Sequence, residues 1–221
     1  SAIKLVDQAK YCGVDAIKFQ TYKTEKRVKR NSQIFNILKK CELSYEDFYE
    51  IKNYCDKKKI LFFSTPFDIE SVNFLKKIKV KLFKIASFDI SNYILVREII
   101  KTKIPTIIST GMASLNEIKK IDKMFKLKNI PHHFLHCIST YPNNEENSYL
   151  SNIKFLSETL KTKVGLSDHT NDINTAIYGY ILGARIFEKH FKLSKNHKCI
   201  DSPVSITPDQ FLELRKKLLK I

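Results

Sequence analysis

Short apolar runs alternate with amphipathic stretches along the whole chain. Seven runs of five to seven residues are each followed by a polar turn and then a helical pattern; they cover 14–20, 60–64, 82–86, 105–109, 132–138, 163–167 and 184–190. Parallel strands need a long crossover connection, which is usually a helix. The alternation therefore predicts a parallel sheet covered by helices.

Helix-boundary signals support this division of the chain. Ser44 and Ser114 each precede a helical pattern and carry an acid three residues later, Asp47 and Glu117. This spacing is typical of a capping box, in which the serine side chain and the acid satisfy each other's free backbone N–H groups. Gly13 follows the first helical pattern, 2–12, and predicts its end.

The number of repeated units indicates the fold class. The chain has only five glycines, and none of its strands is followed by a GxGxxG or GxxxxGK[ST] pattern. Many strand–helix units without a dinucleotide-binding fingerprint favour a closed α/β structure, the (β/α)8 TIM barrel. Because seven strands are found and the segment SAIKLVDQAK (1–10) is already helical, we expect a barrel that lacks its first strand.

Composition excludes several classes of protein. No run approaches the roughly 18 apolar residues of a membrane span, so we expect no membrane partner. Five cysteines without a CxxC pair predict reduced thiols and a cytoplasmic location. The formal charge of +16 is carried mostly by lysines spread along the whole chain, and the basic stretch 23–30 is interpreted as a solvated loop. We therefore expect no nucleic-acid partner, with a non-catalytic basic RNA-binding or scaffold protein as an alternative.

Reactive side chains gather where the predicted strands end. In chain order these are Lys18, Gln20, Ser64, Thr65, Lys84, Ser87, Asp89, Ser109, Thr110, Ser139, Tyr141, Ser167, His169 and His190. Barrel enzymes build their active sites at the carboxyl ends of the strands, so these groups are expected at one mouth. Lysines neutralise a phosphate and hydroxyls donate hydrogen bonds to it, so the pattern suits a phosphorylated substrate.

Two histidines predict a metal centre. His169 and His190 end successive strands, and neutral imidazole is a common ligand of divalent transition metals. Two protein ligands leave coordination positions for water and substrate. Asp168 and Asp201 could add a carboxylate or orient a ligand, or else cap the local backbone. Cys137 lies inside a strand and is expected in the core.

Around these residues the chain resembles the sialic acid synthases, the family of N-acetylneuraminate, pseudaminic acid and legionaminic acid synthases. The similar segments run in order through nearly the whole chain: IKFQTY (17–22), FFSTPFD (62–68), FKIASFD (83–89), IISTGMAS (107–114), LHCISTYP (135–142), GLSDHT (165–170), FEKHF (187–191) and DSPVSITPDQF (201–211). The form KIASF is closer to the pseudaminic acid branch.

The resemblance implies a role for each of these residues. Phosphoenolpyruvate would be held by Lys18, Thr65, Lys84, Ser87, Ser109, Tyr141 and Ser167. A divalent metal, Mn²⁺ in this family, would be bound by His169 and His190. Gln20, Asp89 and Asp201 would face the sugar and act with Lys18 in catalysis. Asp89 replaces the usual glutamate, and Ser139 stands where some relatives have asparagine.

The implied enzyme is a cytoplasmic transferase in carbohydrate biosynthesis. It would condense phosphoenolpyruvate with an N-acylated amino sugar, give a nine-carbon 2-keto-3-deoxy sugar acid and release phosphate. Residues 1–221 would form the condensing barrel, without the family's first strand and C-terminal antifreeze-like domain, and the full-length protein would be a homodimer. We expect the segment alone to be inactive. A Schiff-base aldolase using Lys84 is an alternative enzyme.

Overall fold

The computed structural model describes residues 2–221, in which strands and helices alternate from end to end. The strands are β1 (Ala16–Thr21), β2 (Leu61–Pro66), β3 (Phe83–Ile85), β4 (Thr106–Ser109), β5 (His132–Cys137), β6 (Gly165–Asp168), β7 (Phe187–Phe191) and β8 (Ser205–Ile206). The helices are α1 (Ala2–Tyr11), α2 (Thr24–Arg27), α3 (Phe35–Cys41), α4 (Tyr45–Lys58), α5 (Ile69–Lys77), α6 (Tyr93–Lys101), α7 (Leu115–Lys126), α8 (Ser151–Leu160), α9 (Asn174–Ile181) and α10 (Pro208–Leu218).

The eight strands form one parallel sheet in sequence order. Each strand pairs with the next one along the chain, from β1 to β8. The sheet curls with its helices outside, which is the (β/α)8 barrel arrangement that the sequence predicted. Within residues 2–221 the strand pairing gives no ladder between β1 and β8, so β1 lies at an edge of the sheet.

All seven predicted strands are present, but the predicted number was too low by one. The additional strand, β8, has two residues and pairs through His190 with Ser205 and through Phe191 with Ile206. Two residues are too few to show an alternating pattern, and the strand directly follows a 3₁₀ turn that contains Pro203. Its pairing with β7 therefore depends on tertiary contacts that the sequence does not display.

The helices begin where the capping signals predicted. The Ser44 hydroxyl accepts from the backbone N–H of Asp47 at 3.0 Å, and the Asp47 carboxylate accepts from the N–H of Ser44 at 2.9 Å. Ser114 and Glu117 form the same reciprocal pair at the start of α7. Each pair satisfies backbone donors that a helix start leaves free.

The hydrophobic core lies between the outer face of the sheet and the helices. Buried Phe48 and Ile51 of α4 and Leu75 of α5 belong to the same cluster as Phe62 of β2 and Phe83 of β3. With the apolar side chains on this face, the strands turn their other side chains toward the barrel axis. No helix within residues 2–221 has the length and apolar character needed to cross a membrane. All five cysteine thiols are free, as predicted.

Candidate active site

The two-residue period of the strands selects which side chains share the barrel interior. In β7, Glu188 and His190 point to the same side, and Ser167 and His169 do so at the end of β6. The register pairs Ser167 with Glu188, so the four side chains lie next to one another. Glu188 was not among the predicted site residues, although the inward position of His190 implies it.

Glu188 is the centre of a partly buried group of charges. Its carboxylate lies 3.9 Å from Lys18 Nζ and 3.5 Å from Lys84 Nζ, and it accepts a hydrogen bond from Ser167 Oγ at 3.0 Å. Lys84 Nζ also donates to Ser109 Oγ at 2.7 Å. We call Lys18, Lys84, Ser109, Ser167 and Glu188 the inner charge cluster. It brings together four of the seven residues predicted to hold phosphoenolpyruvate.

Burial and neighbouring charges shift the pKa values in this cluster in opposite directions. Burial alone would raise the pKa of Glu188, but Lys18 and Lys84 outweigh it and lower that pKa to about 2. Burial lowers the pKa of Lys84, and the Glu188 carboxylate opposes this change. With two lysines around one ionised carboxylate, the cluster has an excess of positive charge. That excess suits an anionic ligand.

The other three residues predicted to hold phosphoenolpyruvate lie around the cluster. Thr65 is buried on β2 beside Gln20 in the strand register. Ser87 follows β3, and its hydroxyl accepts from the backbone N–H of Gly111 at 3.1 Å. Tyr141 contacts the histidines instead. Within residues 2–221 none of the three hydrogen-bonds to Lys18 or Lys84, so the structure places them near the mouth without joining them to the lysines.

The two predicted metal ligands lie side by side, with ring centroids 5.4 Å apart. His169 Nδ1 is 2.6 Å from the Ile138 carbonyl, and its Nε2 is 2.8 Å from the Tyr141 hydroxyl. His190 Nδ1 is 3.3 Å from Asp201 Oδ2. These acceptors place the proton of each ring on Nδ1, since a carbonyl or carboxylate cannot donate. Each Nε2 then carries the lone pair that a metal ligand needs.

The donor set fits a metal ion that takes further ligands from water and substrate. Both imidazoles have the tautomer in which Nε2 binds and Nδ1–H is held by an outer acceptor. Within residues 2–221 no group of three or more His, Cys, Asp and Glu residues is assembled as a metal site. Burial would lower the pKa of His169, but contacts with Cys137 and Ile138 outweigh it and raise that pKa.

Asp168 has a structural partner and lies outside the barrel interior. Its carboxylate is 2.9 Å from Lys189 Nζ, and it accepts from the backbone N–H and the hydroxyl of Thr170, both at 2.9 Å. Lys189 also donates to the Thr170 carbonyl. The pair therefore fixes the backbone on both sides of His169. Of the three alternatives considered for Asp168, these contacts support capping of the local backbone.

Cys137 is buried, as predicted, but it faces the site. Its register partner is Ser167, and its Sγ lies 3.8 Å from His169 Nδ1. The thiol is 3% exposed. Burial raises the pKa of this thiol, and His169, with smaller contributions from Ser87 and Lys84, outweighs burial and lowers it.

The residues predicted to face the sugar lie at the outer end of the mouth. The Asp89 carboxylate is buried, and Asn92 Nδ2 donates to its Oδ1 at 3.3 Å. Burial raises the pKa of Asp89, whereas the hydrogen bond from His190 lowers the pKa of Asp201. Gln20 Oε1 lies 3.4 Å from Nη1 of Arg27.

The stretch 23–30 is not simply the solvated loop that we predicted. Residues Thr24–Arg27 form α2, and the Arg27 guanidinium packs against Phe67 with Cζ 3.9 Å from the ring centroid. Lys26, Lys29 and Arg30 are exposed, as expected for a loop. Arg27 differs because its partner, Phe67, lies directly after β2, about 40 residues away in sequence, and no local pattern reveals this contact.

Comparison with known proteins identifies the family to which the chain belongs. A family model described as the NeuB family matches residues 5–221. The chain belongs to the NeuB family. This NeuB family chain is 38% identical to a pseudaminic acid synthase of Campylobacter jejuni over 226 residues, 95% of the chain and 66% of that relative. It is 33% identical to an N,N'-diacetyllegionaminic acid synthase of the same species, over 100% of the chain and 71% of the relative.

A solved structure gives the same result for the fold. The N-acetylneuraminic acid synthetase of Leptospira borgpetersenii, crystallised with citrate, superposes with a TM-score of 0.96 at 36% identity. The match covers 99% of this chain and 77% of that one. The chain spans 63% and 66% of the length of the first curated relatives that it matches.

Proposed function

We propose that this chain is the catalytic barrel of a synthase that condenses phosphoenolpyruvate with an N-acylated amino sugar and releases phosphate. The observation that carries the proposal is the inner charge cluster beside the histidine pair. Ser167 and His169 share one strand end, and Glu188 and His190 share the next. A cluster that suits an anion therefore adjoins a pair of imidazoles that suits a metal ion at one barrel mouth, and the proposed condensation would use both.

Phosphoenolpyruvate would bind at the inner charge cluster. Lys18 and Lys84 would neutralise its phosphate and carboxylate, and Ser109 and Ser167 would donate hydrogen bonds to them. Thr65, Ser87 and Tyr141 would complete this site from the surrounding strand ends. Fixed donors of this kind act most strongly where water is excluded, and Lys84 is only 3% exposed.

His169 and His190 would hold the metal, Mn²⁺ in this proposal, and the bound metal would act as a Lewis acid toward the sugar's aldehyde oxygen. Carbon 3 of phosphoenolpyruvate would form the new bond to the aldehyde carbon. Water would add at carbon 2, and the C–O bond to phosphate would break. No side chain becomes covalently attached in this sequence of steps.

The carboxylates that face the sugar would divide the proton transfers between them. Asp89 has its pKa raised by burial and is the better proton donor. Asp201 has its pKa lowered by its hydrogen bond with His190 and stays ionised. Environments that push two acids in opposite directions are typical of acid and base partners. Gln20 would orient the sugar from β1.

The test is phosphate release by the full gene product with phosphoenolpyruvate, Mn²⁺ and a panel of acetamido sugars. Release is expected only when both substrates and the metal are present. His190→Ala should abolish it, while His133→Ala, an exposed histidine on β5, should not. Release that is unaffected by exhaustive chelation would contradict the proposed metal role. We further propose that the full-length protein is cytoplasmic and forms a homodimer. Sedimentation would check the dimer.

Lys84 supports a second candidate function, that of a Schiff-base aldolase. Burial lowers its pKa, so a larger fraction of the amine is unprotonated at neutral pH and able to act as the nucleophile that Schiff-base aldolases require. Its ammonium is instead engaged by Ser109 at 2.7 Å and by Glu188 at 3.5 Å. Borohydride treatment in the presence of substrate separates the two candidates. The condensation predicts no trapped adduct on Lys84.

A further inference from the structure

The pattern Lys-x-Lys recurs in five successive connections from a helix to the next strand. It is KKK (57–59) before β2, KIK (77–79) before β3, KTK (101–103) before β4, KLK (126–128) before β5 and KTK (161–163) before β6. None of these segments contains an acidic residue. Because β2 to β6 are parallel neighbours, all five segments lie at one end of the barrel, opposite the candidate active site. We call these five segments the basic end.

Helix stability alone does not explain these lysines. A lysine in the last turn of a helix is favourable because it faces the negative end of the helix dipole, which accounts for those inside the helices. Beyond the helix interiors, positive φ angles of 52° to 61° are found at Lys59, Lys79, Lys103 and Lys161. In this left-handed conformation glycine is preferred and a Cβ is unfavourable. The chain therefore has lysine at positions where the backbone favours another residue.

The positive charge of the basic end is largely uncompensated. Its lysines are exposed, and Lys58, Lys101 and Lys126 each form an ion pair with one carboxylate. Within residues 2–221, none of the other lysines of the basic end lies within 4.0 Å of a carboxylate oxygen. This end of the barrel therefore attracts anions over a broad face.

Large apolar side chains are exposed at the same end. Leu127 lies between the two lysines of KLK and is 70% exposed, Tyr11 at the end of α1 is 68% exposed, and Leu219 after α10 is 73% exposed. Gly13, which follows α1, lies against the side chain of Arg215 in the last turn of α10, so these two helices end together. Attraction to anionic lipid and burial of apolar side chains are the two contributions that hold a protein on a bilayer surface.

We propose that the basic end is an interaction surface for an anionic lipid bilayer, and that it holds the barrel with the candidate active site facing away from the membrane. The lysines would lie among the headgroup phosphates, and Leu127 would enter the interface. The expectation of no membrane partner followed from the absence of a spanning run, and binding at a surface requires no such run. This surface would act in the same way whatever reaction the barrel mouth catalyses.

The composition of the basic end favours a bilayer over a nucleic acid. The five segments contain no arginine, the residue that most often contacts phosphates and bases through paired hydrogen bonds. They are spread around one end of a barrel, which suits a flat surface better than a cylindrical duplex. Exposed Leu127 and Leu219 would gain nothing from a phosphate backbone but would be buried in a bilayer interface.

The test is cosedimentation of the full gene product with lipid vesicles. The wild type should bind vesicles in which about a third of the lipid is phosphatidylglycerol, and this binding should weaken as the salt concentration rises. It should not bind vesicles of pure phosphatidylcholine. Absence of binding to the anionic vesicles, with or without binding to a duplex RNA, would overturn the inference.

The decisive variant replaces four lysines of the basic end that form no ion pair in the described part of the chain: K79Q, K103Q, K128Q and K163Q. Each lysine at an anionic surface contributes a factor of roughly five, so binding should weaken about a hundredfold or more. The matched control removes the same charge from exposed lysines at the mouth: K29Q, K40Q, K195Q and K198Q. Both variants should keep the circular dichroism spectrum of the wild type, because the replaced side chains are exposed.

The control should bind nearly as well as the wild type. The two ends of the barrel are separated by about the length of α4, whose 14 residues span about 20 Å, more than twice the Debye length at physiological salt. Equal losses in the two variants would show that net charge alone drives binding and would overturn the assigned surface.

Leu127→Trp supplies a measurement of orientation. Residues 1–221 contain no tryptophan, so the difference in emission between this variant and the wild type reports on position 127. Anionic vesicles should shift that emission to shorter wavelength, because the indole leaves water for the interface. An unshifted emission while the protein is bound to vesicles would overturn the proposed orientation.

Discussion

Replacing Glu188 with glutamine removes the carboxylate that lies between the buried Lys84 and the partly buried Lys18, while keeping the volume and a contact with Ser167. The lysines lower the pKa of Glu188 from 4.5 to about 2, and each unit corresponds to about 1.4 kcal/mol, so its interactions in the folded state are worth about 3 kcal/mol. Removing one partner of a buried charge pair typically costs about 3–5 kcal/mol. In the variant, Lys84 can release its proton and become neutral, which limits the loss of stability. We expect Glu188→Gln to lower the free energy of unfolding by about 3 kcal/mol at pH 7.

The loss should depend on pH in a defined direction. The pKa of Glu188 is lower in the folded state, so its stabilisation is complete above the unfolded value of 4.5 and disappears as the pH falls toward about 2. In the variant, Lys84 loses its counter-charge, and its folded pKa falls further below 10.5. The unfolded chain then binds the additional proton, so the stability of the variant rises from neutral to alkaline pH. The difference in the free energy of unfolding between the wild type and Glu188→Gln should therefore become smaller at both acidic and alkaline pH.

Urea denaturation followed by circular dichroism and tyrosine fluorescence, from pH 3 to 9, measures these differences. Glu158→Gln is the matched control, because Glu158 is 68% exposed and lies 4.0 Å from Lys154. An exposed pair of this kind contributes less than about 1 kcal/mol. A loss for Glu188→Gln no larger than that of the control, or one that does not vary with pH, would refute the coupling described here.

Other expectations follow from the same contacts. Alanine at either histidine of the pair should abolish turnover and leave the circular dichroism spectrum unchanged, with exposed His133→Ala as the control. Lys84→Ala, assayed by calorimetry, should weaken phosphoenolpyruvate binding by about tenfold or more, the loss of a charge-assisted contact; an unchanged dissociation constant would place the anion elsewhere. Lys189→Met leaves the Asp168 charge buried and unpaired, so it should cost about 3–5 kcal/mol of stability in urea denaturation.

The sequence predicted the order of the strands because hydrophobic period and capping are local signals. The predicted runs 105–109 and 132–138 correspond to Thr106–Ser109 and His132–Cys137, and the shifts of a residue or more fall at element ends. The two-residue strand Ser205–Ile206 was missed because its pairing with β7 carries no periodic pattern of its own. Short helices between 23 and 43 were missed for a similar reason.

The residues of the candidate site also include some that the sequence could predict and others that it could not. The position of His190 on a strand implies, through the two-residue period, that Glu188 faces the interior as well. Strict use of that period would have found Glu188 from the sequence. Arg27 could not have been found, because its contacts with Phe67 and Phe88 join segments that are distant in sequence. Side-chain stacking across a barrel mouth is a tertiary property.

Charge balance distinguishes the scaffold of this barrel from its site. On the outer face of β6 and β7, Asp168 and Lys189 form a matched pair whose remaining contacts go to Thr170. Such a pair needs no ligand, and replacing both residues with apolar ones should be tolerated better than replacing either. On the inner face, Glu188 faces two lysines, so within residues 2–221 the inner charge cluster has one more positive than negative charge. An excess positive charge beside the buried ammonium of Lys84 is unfavourable, and an anionic ligand would offset it. The imbalance, rather than the number of charges, is therefore the feature that favours the inner face as the binding side in the proposed function.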